Sequence, residues 1–145
     1  MQQIINKALE IATSFDVSTP INGAVVYSIS FMPDEKNKEL AIKYVKENQN
    51  AMMLDDTPCG RALIELGLNG KVDKVADEIT NIWKIASKRY IESASGNINA
   101  FVDRADERST FVSTELNKIL ENNKISTING IDKFEFASTF KSYRY

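Results

Sequence analysis

Glu115 closes the run Ser109-Thr110-Phe111-Val112-Ser113-Thr114-Glu115, in which four hydroxyl side chains lead up to one carboxylate. Ser113 is an N-cap by residue type, which sets Glu115 in the first turn of a helix. The helix dipole favours an acid there on structural grounds alone. The same start leaves backbone amides free to hold an anion. Beside that structural reading stands a chemical one, a pyrophosphate bound by hydroxyls and loop amides with the carboxylate facing a sugar. Trp83 and Ser87 stand four residues apart and share a helix face. The tryptophan either fills the core or walls a cleft with a hydroxyl beside it. Asp55-Asp56-Thr57 follows an apolar run, and its adjacent acids either cap a turn or bind a polar ligand. No further oxygen ligands stand at metal spacing, so neither a metal nor a cofactor is expected. Lys88-Arg89 reads as a solvated charged face, with contact to one phosphate as the alternative.

The residue types that are missing narrow the chemistry further. None of the 145 residues is histidine. That removes Ser-His-Asp and Cys-His pairs, His-based ribonuclease chemistry and nearly all zinc sites. Neither G-x-x-x-x-G-K-[ST] nor G-x-G-x-x-G occurs, which leaves a carboxylate, a lysine or a hydroxyl as the working group. A net charge of −2 and a pI near 5.3 argue against a nucleic-acid partner. No run approaches the ~20 apolar residues of a membrane span, and the N-terminus lacks a signal peptide's apolar core. The segment is expected to carry no targeting of its own, as for a piece of a longer protein. Cys59 is the single cysteine, so no intrachain disulfide is expected and the fold must rest on its core.

Periodicity sets out the elements that must position these residues. Residues 3–15 carry Ile4, Ile5, Ala8, Leu9, Ala12 and Phe15 on one helical face. Asn22-Gly23 turns the chain into the apolar run Ala24-Val25-Val26-Tyr27, a buried strand. Pro33-Asp34 starts a helix with Leu40, Ala41, Tyr44 and Val45 inward. After the short run Met52-Met53-Leu54, Pro58 suits the first turn of a helix that ends near Gly67 and Gly70. Residues 72–94 form a long amphipathic helix marked by Val75, Ile79, Ile82, Ala86 and Tyr90. Residues 97–103 alternate as a strand, and a charged loop leads to a helix over 113–121 and a strand over 125–129. A right-handed crossover makes those strands parallel, with ligands expected beyond their carboxyl ends. Phe134, Phe136 and Phe140 dock the tail as a strand or helix. The expected fold is α/β (α+β), one domain over 1–145. A mainly helical part, 1–94, packs on a small, mostly parallel sheet with flanking helices, 95–145.

Three blocks in order resemble the ADP-ribosyl cyclase/NAD glycohydrolase family. Met53-Leu54-Asp55-Asp56-Thr57, with Gly60 at the same spacing, is similar to the family's Thr-Leu-Glu-Asp-Thr block. Ile82-Trp83-Lys84-Ile85-Ala86-Ser87-Lys88-Arg89-Tyr90 is similar to its Phe-Trp-x-x-x-Ser-[RK]-[RK]-Phe helix. Ser109-Thr110-Phe111 with Glu115 is similar to its Ser-Thr-Phe-x-x-x-Glu block, and Val26-Tyr27-Ser28 resembles its Phe-Trp-Ser more weakly. The resemblance spans residues 21–130.

The resemblance implies an ADP-ribosyl cyclase-like fold and cleavage of the nicotinamide–ribose bond of NAD⁺ or NADP⁺, with Glu115 as the catalytic carboxylate. Trp83 matches the ring beside nicotinamide and ribose, and Asp55 the acid that binds the carboxamide. Ser28, Ser87, Thr110 and Phe111 match positions that contact ribose or phosphates. Tyr27 replaces a second clamping tryptophan, and Asp55 is one methylene shorter than the family's glutamate. The reduced, disulfide-free form resembles toxin domains of contact-dependent inhibition and other polymorphic toxins. That implies secretion within a larger toxin, delivery into the target-cell cytoplasm and a cognate immunity protein that plugs the cleft. A chain without disulfides can unfold for transport and refold in a reducing compartment.

Most glycosidases use two carboxylates because a sugar leaving group must be protonated. Nicotinamide instead leaves a cationic pyridinium as a neutral molecule, so one anion suffices. Glu115 is expected to stabilise the ribosyl oxocarbenium, as an ion pair or covalent adduct, until water attacks, with cyclisation as a second outcome. The alternatives are a toxin of another class such as a nuclease, transfer of ADP-ribose to protein, and a non-enzymatic immunity or binding protein whose acids and aromatics serve an interface.

Overall fold

Ala24–Tyr27 (β1) is apolar throughout because it runs through the middle of a sheet covered on both faces. The computed structural model describes residues 2–28, 36–68 and 76–143. Beside β1 lie β2 (Met52–Met53), β3 (Gly96–Phe101), β4 (Ile125–Ile128) and β5 (Ile131–Asp132). The spatial order is β2-β1-β3-β4-β5. The first four are parallel and β5 is antiparallel to β4. The expected β3-to-β4 crossover is present, with Ile98 opposite Ile128. The boundary at residue 95 runs through this sheet, because β1 pairs directly with β3 (Val25 opposite Asn99, Tyr27 opposite Phe101).

Alternation along β1 and β3 divides the core. Ala24, Val26, Ile98, Ala100 and Val102 join the larger cluster. That cluster also takes Ile5 of α1 (Gln2–Ser14), Leu63 of α3 (Pro58–Glu65), Ile82 of α4 (Ala76–Ser93) and Ile119 of α5 (Leu116–Glu121). Val25 faces α2 (Lys36–Glu47), where it meets Ala41, Ala51 and Met53. Helices therefore cover both faces. β1 continues through α2 to β2 on one side, while β3 continues through α5 to β4 on the other. The winding reverses between β1 and β3, and at such a point the carboxyl ends of the strands open a crevice.

Polar side chains stitch the short strands together. The Asn99 amide donates to the carbonyls of Asn22 (2.9 Å) and Ala24 (3.1 Å), and its oxygen accepts from the Tyr44 hydroxyl. Asn129 exchanges two bonds with the Ala100 backbone, at 2.8 and 2.9 Å, and so extends the β3–β4 pair past its last strand residue. The Tyr90 hydroxyl accepts the Val25 N–H at 2.8 Å and donates to the Met52 carbonyl, pinning β1 and β2 to α4.

Some expected faces differ. In α1 the buried residues are Ile5, Ala8, Ile11 and Ala12, while Ile4, Leu9 and Phe15 are exposed. The last turn of α1 is closed by Arg89, which donates to the carbonyls of Ala12 (2.7 Å) and Phe15 (2.9 Å). Arg89 is thus a helix cap, and Lys88 alone is the solvated charge. Gly67 (φ 81°) follows α3 as its stop. The helix start at Pro33-Asp34, the stop at Gly70 and the inward Val75 lie outside the described residues.

The tail folds as α6 (Lys133–Thr139). Lys133 Nζ reaches the end of α5, donating to the Asn122 carbonyl at 2.8 Å. Phe140 meets Phe111 edge-on at 5.5 Å. Tyr143 then pairs with the charged loop: its N–H donates to the Ala105 carbonyl, and the Glu107 N–H donates to the Tyr143 carbonyl, each at 2.8 Å. No helix among the described residues is long and apolar enough to cross a membrane.

Candidate active site

Asp55 owes its place to two neighbours that work on the backbone. β2 runs into a single 3-10 turn, Leu54–Asp56. The Asp56 carboxylate accepts the Met53 N–H at 2.9 Å. The Thr57 hydroxyl donates to the Leu54 carbonyl (2.6 Å) and accepts the Gly60 N–H (3.1 Å), which caps α3, with Pro58 in its first turn. A Cβ at Gly60 would stand 2.0 Å from the Leu54 carbonyl oxygen, so only glycine lets α3 approach the turn this closely. Asp56 and Thr57 therefore cap, and Asp55 turns into a cleft of about 550 Å³.

α4 supplies the opposite wall. Ile79, Trp83, Ser87 and Tyr90 recur at helical spacing and all face this cleft. The indole N–H of Trp83 donates to the Leu68 carbonyl at 2.9 Å, which fixes the ring in the wall of the cleft. Ser87, 3% exposed, donates its hydroxyl hydrogen to Glu115 Oε2.

Glu115 arrives by a different local structure from the one expected. The Ser113 N–H already donates to the Ser109 carbonyl (2.9 Å), so Ser113 is inside the helix and does not cap it. The cap is Ser109, whose hydroxyl accepts the Val112 N–H at 3.3 Å. Phe111–Glu115 is a π-turn, in which the Leu116 N–H reaches back to the Phe111 carbonyl. Phe111, Glu115 and Ile119 are all buried, a spacing of four twice over. That exceeds the 3.6 residues of an α-turn, and the wider turn absorbs the difference. π-turns of this kind are frequent at functional sites.

Glu115, Asp55, Trp83, Ser87, Tyr27 and Thr110 thus line one cleft at the carboxyl ends of β1 and β2. Two expected residues do not line it. Phe111 is fully buried and packs against Phe140, so its ring belongs to the core. Ser28 is buried just past β1, where its N–H donates to the Phe101 carbonyl at 3.1 Å and continues the strand pairing. Lys38 also lines the cleft, and the sequence carries no periodicity or motif that sets this lysine apart from its neighbours. Ile64, Leu68 and Ile79 add an apolar end beside Trp83.

The electrostatics favour a cationic guest. Burial pushes the Glu115 carboxyl up to about 7, the Ser87 hydrogen bond partly opposes this, and the negative Asp55 adds to it. Asp55 is also raised, by burial first and by Asp56, with Lys38 pulling the other way. Two acids in a partly apolar cleft are poorly solvated as anions, and a positive charge placed between them relieves that cost. Among the described residues no cluster of three Cys, Asp or Glu side chains forms a metal-binding set.

No protein-family model matches the sequence, and no curated protein matches it. Solved structures do. Porcine CD38, in complex with a covalent intermediate, ribo-F-ribose-5'-phosphate, superposes with a TM-score of 0.58 at 24% identity, over 87% of this chain and 67% of that one. Aplysia cyclase, in complex with substrate NGD and product cGDPR, superposes with a TM-score of 0.57 at 17% identity, over 87% of this chain and 62% of that one. The fold is that of the ADP-ribosyl cyclases, and the chain spans less than two thirds of the Aplysia enzyme.

Proposed function

We propose that this protein is an NAD⁺ glycohydrolase that breaks the nicotinamide–ribose bond, with Glu115 as its catalytic carboxylate. The observation that carries the reading is the buried Glu115, held by Ser87 and set in one cleft with Asp55 and Trp83. The pyridinium of NAD⁺ is a cation suited to two poorly solvated carboxylates. Trp83 offers a flat wall for the ring and Asp55 an acceptor for the carboxamide. As the C–N bond breaks, positive charge moves from the ring onto the ribose, and Glu115 stabilises it as an ion pair or a covalent ester. The covalent intermediate captured on porcine CD38 supports the second form. Water then attacks the anomeric carbon. The complex of Aplysia cyclase with substrate NGD and product cGDPR supports cyclisation, by attack of the purine base on the same carbon, as a competing outcome. Thr110, at the helix start, serves the phosphates.

Incubation of purified protein with NAD⁺, followed by quantification of nicotinamide, ADP-ribose and cyclic product, tests this. Stoichiometric release of nicotinamide by wild type is expected; none would defeat the reading.

We further propose that the domain is the toxic part of a larger secreted protein, acts in the cytoplasm of a target bacterium and is blocked by a cognate immunity protein seated over the cleft. The lone Cys59 is free and buried, so the described fold holds no disulfide that a reducing cytoplasm would break. Induction inside bacteria should lower cellular NAD⁺ and stop growth, while Glu115→Gln should do neither. Normal growth at full expression of active protein would remove the toxin role and leave the chemistry standing.

A further inference from the structure

We propose that Tyr90 is a positioning residue: its hydroxyl bridges β1 and β2 just before the 3-10 turn, and so sets where Asp55 stands in the cleft. β2 is two residues long and forms an edge of the sheet, so it has few ladder bonds and a neighbouring strand on one side only. Asp55 follows two residues after it. The Tyr90 hydroxyl accepts the Val25 N–H of β1 at 2.8 Å and donates to the Met52 carbonyl of β2 at 2.5 Å. The ring is 1% exposed and belongs to the larger core cluster, which fixes where the hydroxyl stands. Burial pushes the phenol well above its ordinary value, so it stays a neutral donor.

Two side chains thus hold the two residues of β2. Tyr90 takes the Met52 carbonyl, and the Asp56 carboxylate takes the Met53 N–H at 2.9 Å. Asp56 shapes the turn from within its own segment, whereas Tyr90 ties that segment to a helix 38 residues further along the chain. Ser87 stands three residues before Tyr90, on the same side of α4, and holds Glu115. One helix therefore sets both cleft carboxylates, Glu115 directly through Ser87 and Asp55 through Tyr90 and β2. The separation of the two acids is a property of α4.

The inference rests on the NAD⁺ reading, with Asp55 at the carboxamide, and is tested by the KM and kcat for NAD⁺ and by product inhibition. Tyr90→Phe keeps the ring in the core and removes only the bridging oxygen. It should raise KM about tenfold, the scale of one displaced hydrogen bond to a charged group, with kcat changed by no more than about threefold. Inhibition by nicotinamide should weaken in parallel, and inhibition by ADP-ribose should change by less than about twofold. In an Asp55→Ala background the Tyr90→Phe change should add less than about twofold to KM, since the residue acts through that acid. An unchanged KM, an equal effect with and without Asp55, or equal weakening of both product inhibitors would overturn the proposal. Each assay is run with and without a stabilising osmolyte, so that a weakened fold does not mask the result. Failure of Tyr90→Phe to fold even with osmolyte would overturn the proposal too, by showing that the hydroxyl serves stability alone. Wild type that releases no nicotinamide would instead defeat the NAD⁺ reading.

Discussion

Replacing Glu115 by glutamine keeps the side chain's shape and its acceptor for the Ser87 hydroxyl, and removes only the charge. Loss of stabilisation aimed at a developing charge costs on the order of a hundredfold or more in turnover, so nicotinamide release by Glu115→Gln should fall at least that far. The pH dependence has a definite sign. Glu115 in the folded protein lies at about 7, against an ordinary value of 4.5. The reactive form is the anion, so kcat/KM should climb as pH rises through about 7 and then level. Stability runs the other way. Between 4.5 and about 7 the folded protein holds a proton that the unfolded chain has released. That contribution is complete below 4.5 and is lost as pH passes about 7, a change on the order of 3 kcal/mol. Denaturant melts should therefore show Glu115→Gln more stable than wild type at pH 8, with the gap closing under acid. Ser87→Ala removes the hydrogen bond that favours the anion. The rising limb of kcat/KM should move to higher pH in that variant; a limb that stays put would show that Ser87 does not tune the acid.

At the scale of elements, the site is assembled by turns that break regular structure. The 3-10 turn after β2 aims Asp55, and Gly60 lets α3 seat against it. Gly60→Ala would force the two backbones apart, since the added Cβ also meets the Asp55 Cα at 2.8 Å. A cost on the order of 1–3 kcal/mol in a denaturant melt is expected, with KM raised because Asp55 shifts. A wild-type melting profile would show that the turn tolerates separation. The π-turn does the same for Glu115, and it explains what the sequence concealed. By residue type Ser113 is a reasonable cap, and the resemblance makes Phe111 a cleft residue. The wider turn moves the cap to Ser109 and buries Phe111 against Phe140. Trp83 and Ser87 were legible because α4 is a regular helix whose i, i+4 face could be counted. Lys38 was not, because only the folded α2 brings it over Asp55. The placement of β2 was equally hidden, since a two-residue strand has no periodicity and its partner β1 lies beyond a whole helix.

Across the whole molecule, the parallel β3–α5–β4 unit could be inferred because strand, helix and strand follow one another closely. The union of both halves in one sheet could not, because it depends on β1 pairing with β3 across α2, α3 and α4. Such distant pairings slow folding but leave no local trace. The tail belongs to the same class of contact. Tyr143 bonds to both Ala105 and Glu107, on the loop that leads to Thr110 and Glu115. A chain cut after Gly130 lacks Phe140 and Tyr143, and should be inactive even where its helices form; adding residues 131–143 as a separate peptide should restore nicotinamide release. Timing follows from this pairing. On a ribosome the chain presents Glu115 well before it presents Tyr143. The carboxylate is made early and framed late, so the cleft stays an unfinished site until the segment 131–143 has joined it.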